Sequence, residues 1–336
     1  MSGSASQAQS STPADIPAVL LPLATDLELV GEKFRSILAD ASDDSKDMVR
    51  HAARFNGKRL RPALTCLAAR VGGDGVNDDV ASVAAIVELI HTATLVHDDI
   101  LDGAEVRRKV ATLNTRWGSH AAVLVGDVLF SKAYRAAAYL DDPFASRYLS
   151  DIVGDVLEGE IHQANACRDV DVDEDEYREI IRGKTAALYE AALVVGAHYA
   201  GADPETKDRL GRIGHHLGMA FQIIDDRLDV SGDEATVGKS LGTDLSEGKM
   251  TLPVIRWLAD HEDREAALTL IRAAWSSDDG AQALAEQMRQ SGALEATDAA
   301  ARAEIDAALG VLAELPEGDE RGMLEALARY VLERTR

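Results

Sequence analysis

Between Val80 and Leu101 the chain carries neither proline nor glycine, is apolar on most faces, and then closes on three aspartates, Asp98, Asp99 and Asp102. A helix apolar nearly all round has to be central and buried. Carboxylates at its end are costly in such surroundings unless something neutralises them. Asp98 and Asp102 are spaced i, i+4 and share a face, and His91 falls near the same stripe. The pattern then recurs: Asp225, Asp226 and Asp229 follow a second apolar helical run, with Gln222 three residues before Asp225. One such motif reads equally well as a solvated helix end. Two of them, facing each other, form a carboxylate mouth that needs cations. Hard divalent ions take oxygen ligands, and magnesium typically sits between one or two carboxylates and bound phosphates.

The rest of the chain is consistent with helix throughout. Hydrophobic residues make up 46% and aromatics 4%, with eight prolines in 336 residues. Such Ala- and Leu-rich, proline-poor sequence favours helix over sheet. Helices are expected over about 17–40, from Pro62 to Gly72–Gly73, and over 80–101, 118–140, 144–168, 173–200, 204–230, 250–260, 262–277, 279–290, 293–314 and 317–334. No strand of useful length and no dividing linker is expected. The chain reads as an all-α bundle over 16–336, preceded by a disordered polar tail over 1–15, with the Gly- and Asp-rich stretch from Ser231 to Lys249 as a functional loop.

The net charge of −23 argues against a nucleic-acid partner, which needs a basic face. It also requires a local cationic cluster to catch any anionic substrate. Lysines are few, nine against twenty-six arginines, yet Lys58, Lys184, Lys239 and Lys249 each fall in a Gly-flanked or polar motif: NGKRLRP, RGKTA, VGKSLG and SEGKM. Glycine beside lysine lets backbone approach an anion closely. Arg61, Arg107 and Arg108 add planar forks suited to phosphate oxygens. Cys66 and Cys167 fit no metal or redox spacing. The first residues lack the features of a signal or transit peptide, and no apolar run is expected to span a membrane, so a cytoplasmic location is expected.

NGKRLRP, HTATLVHDDILD, RRKVATLN, GKTAAL, FQIIDDRLD and GKSLGTDLSEGKMTLP, in that order over about residues 50–257, resemble the trans-polyprenyl diphosphate synthases. The resemblance implies an all-α isoprenoid synthase type I fold around a deep central cavity, usually as a homodimer. It implies Mg²⁺, three ions per active site, held by Asp98 and Asp102 on one side and Asp225 on the other, with Asp99, Asp226 and Asp229 behind them. It places Lys58, Arg61, His91 and Arg108 on isopentenyl diphosphate. Arg107, Lys184, Thr185, Gln222, Lys239 and Lys249 fall on the allylic diphosphate. The implied reaction is metal-assisted loss of the allylic diphosphate, attack by the isopentenyl double bond, and loss of a proton. Asp98, Asp102, Asp225, Lys184 and Arg107 carry the catalysis in that scheme. Three positions depart from the family pattern: Asn56 replaces a usual Gly, Arg107-Arg108-Lys109 lacks the usual Gly, and Arg227 stands where an apolar residue is common.

In this family the residues four and five before the first aspartate help floor the cavity; here they are Thr94 and Ala93. Ala93, Ile90 and Ile86 form a helical stripe beside that of Asp98, Thr94 and His91. An aliphatic wall on the order of 15–20 Å long is expected to accept the growing chain, giving a C35–C50 product, with C20 geranylgeranyl as the alternative. A ring at Ala93 is expected to shorten it. Other readings are a class I terpene cyclase, a non-catalytic regulatory subunit of a prenyl synthase, and an acidic scaffold that binds divalent ions. The cyclase reading meets DDRLDVSGD where an N-D-x-x-S-x-x-x-E element belongs.

Overall fold

The computed structural model describes residues 18–55, 59–231 and 242–333. After a 3₁₀ turn at Ala18–Leu23, the helices are α1 (Ala24–Leu38), α2 (Lys46–Ala52), α3 (Leu60–Gly72), α4 (Asp78–Leu101), α5 (Leu113–Trp117), α6 (Ser119–Ala138) and α7 (Phe144–Ala166). They continue with α8 (Glu174–Ile181), α9 (Ala187–Tyr199), α10 (Pro204–Ser231), α11 (Thr243–Glu247), α12 (Leu252–Asp260) and α13 (Arg264–Ala274). The chain closes with α14 (Asp278–Ser291), α15 (Ala293–Leu312) and α16 (Asp319–Glu333). The expected all-α class is the one the chain adopts. The expected tail over 1–15 lies outside the described residues.

α4 begins where the Asn77 side chain accepts the Val80 N–H at 2.8 Å, satisfying one of the helix's orphan donors. It packs against α6, α1, α3 and α9, and Val83, Val87, Leu89 and Val96 are fully buried. By length and composition α4 could cross a membrane, with a mean hydropathy of 1.6 over its best window. That corrects the expectation that no apolar run reaches such a length. Here the apolar surface is spent on the bundle core.

Among the described residues the apolar interior falls into two large clusters and a small one of Ala69, Val80 and Ala200. One large cluster joins α1, α3, α4, α6, the first half of α7, α9 and the first half of α10. The other joins α8, the second half of α10 and α12–α15. α10 runs through both, passing from Leu217 and Ala220 in the first to Ile223, Ile224 and Leu228 in the second. The rod formed by α8 and α9 does the same. At the junction of that rod lies a correction to the expected continuous helix over 173–200: Arg182–Ala186 is a π turn. Its neighbours press against it with bare backbone. A Cβ at Gly159 of α7 would sit 2.5 Å from the Lys184 nitrogen, and one at Gly218 of α10 would sit 2.5 Å from the Ala186 Cα. Only glycine permits so close an approach.

Strand among the described residues is confined to a small hairpin, β1 (Val106–Arg107) paired antiparallel with β2 (Val110–Ala111). Arg108 and Lys109 form its two-residue loop with φ of 51° and 64°. Positive φ at both positions is the type I′ arrangement that suits a twisted hairpin and normally favours Asn-Gly. The missing glycine therefore leaves the turn in place, with a lysine in its left-handed position.

Candidate active site

Both aspartate motifs sit at helix C-termini. Asp98 and Asp99 lie in the last turn of α4 and Asp102 is its C-cap; Asp225, Asp226 and Asp229 lie in the last two turns of α10. The negative end of each helix dipole disfavours carboxylates there, and the last turn of neither helix holds a basic residue. Cations have to come from elsewhere in the fold.

Lys249 supplies one of them. Its ammonium lies 3.4 Å from Asp102, 3.2 Å from Asp244 and 2.6 Å from Glu247. Burial opposes that charge, but Asp244 and Asp102 outweigh it and the pKa is raised. Asp244 in turn donates its backbone N–H to the Asp229 carboxylate at 3.1 Å, and Gly242 N–H reaches the Asp229 carbonyl at 2.9 Å. A chain of contacts thus runs from the first motif to the second: Asp102, Lys249, Asp244, Asp229.

Lys184, carried by the π turn, supplies the other. It donates to Glu160 and to Gln163 of α7, both at 2.8 Å. Burial works against its charge, while Glu160 and Asp98 more than compensate, so its pKa is raised. Asp98 shows the opposite stress. Burial first, and then the Glu160 carboxylate, push its pKa up to about 7. Arg107 donates through Nε to the buried Asp99 at 2.6 Å. Asn114 donates to the Asp99 carbonyl at 3.2 Å, so hairpin and α4 terminus are tied together.

Behind the second motif lies a buried polar row. Thr185 donates to Gln222 at 2.7 Å, Gln222 donates to Asp226 at 2.7 Å, and Tyr177 donates to the other Asp226 oxygen at 2.6 Å. Burial and the Asp244 charge push Asp226 up to about 7 and Asp229 up to about 8. Arg227 leaves this row and pairs with Asp298 of α15 at 3.0 Å.

The basic residues expected on the other substrate gather around α4. The Arg61 guanidinium lies over the Tyr189 ring, 4.5 Å from its centre, and its buried Nε meets no hydrogen-bond acceptor among the described residues. Burial, together with Arg61, Arg108 and Arg107, holds the His91 pKa well below the usual range, so His91 is neutral at pH 7. Glu88 is buried near Arg61, Arg108 and Arg59; desolvation dominates and its pKa is raised. Lys58 and Lys239 lie outside the described residues.

One expectation fails on packing. Ile86, Ile90 and Ala93 have essentially no accessible surface, so this stripe faces other side chains and not an open wall. The accessible face of α4 near the motif is His91, Thr94, Leu95 and Asp98, and Thr94 donates its hydroxyl to the His91 carbonyl at 2.8 Å. A ring at Ala93 has no room to enter. A cleft of about 390 Å³ lined by Phe144, Glu190, Lys207, Arg212 and His215 lies off both aspartate motifs.

A family model described as polyprenyl synthetase matches residues 43–288. The chain belongs to the polyprenyl synthetase family. It is 39% identical over 283 residues to the octaprenyl diphosphate synthase of Escherichia coli K12, covering 83% of this chain and 87% of that one. It is also 39% identical over 318 residues to a short chain isoprenyl diphosphate synthase of Methanothermobacter thermautotrophicus, covering 91% and 96%. A solved polyprenyl synthase from Caulobacter crescentus CB15, complexed with calcium and isoprenyl diphosphate, superposes with a TM-score of 0.88. It is 36% identical, covering 95% of this chain and 97% of that one. This polyprenyl synthetase is therefore a prenyltransferase.

The donor set of the synthetase suits a divalent oxygen-seeking ion. Asp98, Asp102 and Asp225 are carboxylates at the unfavourable ends of two dipoles. Among the described residues no three acidic or histidine side chains converge on one point. The sequence reasoning missed Glu160, Gln163, Asp244, Glu247 and Tyr177. Glu160 and Gln163 lie i, i+3 on one face of a helix otherwise anchored by apolar residues, and that spacing was the available signal. Nothing in the sequence alone marks the others.

Proposed function

We propose that this chain is an all-trans polyprenyl diphosphate synthase that joins isopentenyl diphosphate head to tail onto an allylic diphosphate, with Mg²⁺, three ions per site. The observation that carries the reading is the Asp102–Lys249–Asp244–Asp229 chain of contacts. It brings the ends of α4 and α10 to the two sides of one cationic group. Bound Mg²⁺ would neutralise charge on the departing diphosphate. Asp98 and Asp102 would hold it from α4 and Asp225 from α10.

The allylic diphosphate exchanges places with carboxylates already paired to lysine. Lys184 would exchange Glu160 and Gln163 for a phosphate oxygen, and Lys249 would be released from Asp102 where that carboxylate held the metal. Arg107, fixed by Asp99, presents its remaining N–H groups; Thr185, Gln222 and Lys239 complete this side. Isopentenyl diphosphate takes Arg61, Arg108 and Lys58, with the neutral His91 as a hydrogen-bond partner. Lys184 and Lys249 are charged before the substrate arrives, which is the preorganisation that electrostatic catalysis needs. The proton lost after C–C bond formation goes to the departing diphosphate.

The product is C35–C50, supported by the octaprenyl relative. The short-chain relative keeps C20 as the alternative. The chain acts as a homodimer in the cytoplasm, with residues 16–336 as one catalytic unit. Leu124 of α6 and Ile161 of α7 are 52% and 54% exposed, large apolar side chains of the kind a second copy would cover. The test is incubation of the purified chain alone with labelled isopentenyl diphosphate, Mg²⁺ and each allylic starter, with chromatography of the dephosphorylated products. Incorporation into chains of 35–50 carbons is expected. No incorporation overturns the enzyme reading in favour of a regulatory subunit; a 20-carbon product overturns only the length.

A further inference from the structure

Tyr177 belongs to no motif, yet its ring is buried and its hydroxyl donates to Asp226 at 2.6 Å, across 49 residues of sequence. We propose that Tyr177 is a positioning residue for the second aspartate motif, acting through Asp226, and that the π turn sets it in register with Thr185. The inference rests on the metal-dependent reading above.

Geometry gives the π turn its purpose. An α-helix advances about 100° per residue, so eight residues separate Tyr177 and Thr185 by about 80° around the axis. A π turn closes i→i+5 and so accommodates one extra residue. The two then relate as though seven apart, about 20° from a common face. Both consequently meet α10: Tyr177 on Asp226, and Thr185 on Gln222, which is one turn earlier and itself bonded to Asp226. Lys184, next to Thr185, is turned instead towards Glu160 of α7. One irregular turn thus serves two neighbours.

Asp226 accepts from Gln222 on one oxygen and Tyr177 on the other. Held at both oxygens, it fixes the rotation of α10 about its axis. Asp225 is the adjacent residue and Asp229 lies less than a turn further on, so their directions are fixed with it. Hydrogen-bonded partners behind a metal ligand typically tune affinity or activity by about 10–100-fold.

The experiment is calorimetric titration of Mg²⁺ into the full chain with inorganic pyrophosphate, which involves no turnover. It compares wild type, Tyr177→Phe, Asp226→Asn and the double variant, with melting temperatures and steady-state rates alongside. Tyr177→Phe is expected to melt near wild type, weaken Mg²⁺ binding about tenfold, and leave the KM for isopentenyl diphosphate within about twofold. In the Asp226→Asn background the same change should add less than about twofold, as coupled residues do. An unchanged Mg²⁺ affinity in folded Tyr177→Phe, or effects that multiply in the double variant, overturns the proposal. Should Tyr177→Phe fail to fold, Asp226→Asn alone reads the same affinity, and no loss there overturns it as well. If the wild type neither binds Mg²⁺ with pyrophosphate nor incorporates isopentenyl diphosphate, the parent reading fails instead.

Discussion

Alanine at position 159 would force two backbones apart. Its Cβ would sit 2.5 Å from the Lys184 nitrogen and 3.0 Å from the Gly183 carbonyl carbon. These are main-chain atoms, which cannot swing aside as a side chain can. Ordinary carbon contacts begin near 3.5 Å, so α7 and the π turn must separate by roughly 1 Å. Overpacking of this kind costs about 1–3 kcal/mol, offset by the roughly 0.5–1 kcal/mol that alanine gains over glycine within a helix. At about 2–4 °C per kcal/mol for a large domain, Gly159→Ala should lower the melting temperature by several degrees. The catalytic effect should be larger. Lys184 rides on the displaced turn, and a misplacement near 1 Å can cost about 10²-fold in rate. Gly154, one and a half turns earlier on α7, is the control, since a Cβ there meets nothing within 4 Å. Gly154→Ala should keep full activity and gain about 0.5–1 kcal/mol. Calorimetry and initial rates of isopentenyl incorporation decide the matter. Wild-type activity and stability in Gly159→Ala, or equal damage from Gly154→Ala, would refute the argument.

Asp98→Ala and Asp225→Ala should each cut turnover by at least about 10²-fold while the metal-free protein melts no lower than wild type; near-normal rates in Mg²⁺ would remove the two-motif mechanism. The metal-free protein should lose stability as pH rises from about 6.5 to 8. Asp98, Asp226 and Asp229, with pKa values near 7, 7 and 8, still hold protons there that the unfolded chain has already released. Neutral His91 acts in the opposite sense only below about 6.5, and a melting temperature that climbs through the window would contradict the assignment. Lys109→Gly should stabilise the hairpin by about 1 kcal/mol, because glycine adopts the left-handed conformation at φ 64° freely; an unchanged or lower melting temperature would show that the turn carries no such strain.

The parts legible in the sequence are those written in local pattern. Apolar periodicity marked α4 and α10, and i, i+4 spacing put their acids at the ends, because one helix suffices to determine both. Pairings across the chain left no such trace. Tyr177 looks like any core aromatic until Asp226 is seen against its hydroxyl. Asp244 and Glu247 look like solvated charges until Lys249 lies among them. The π turn is invisible because it changes the count by one residue and leaves composition untouched. The aliphatic stripe of α4 was read correctly as a stripe, but its neighbours decide whether it lines a space. Ile86, Ile90 and Ala93 turned out to be packed.

Lys249 divides its charge among Asp102, Asp244 and Glu247, and that sharing makes the two halves of the site thermodynamic partners. Any ligand that recruits Asp102 relieves Lys249 of one anion and leaves it to be contested by the other two and by the incoming phosphate. The turn bearing Asp244, on which Asp229 rests, then responds to events at the end of α4. By linkage the dependence is reciprocal: whatever factor occupancy at α4 applies to affinity at α10, occupancy at α10 applies to α4. A titration of diphosphate at several fixed Mg²⁺ concentrations would give that factor as one number, the same in both directions.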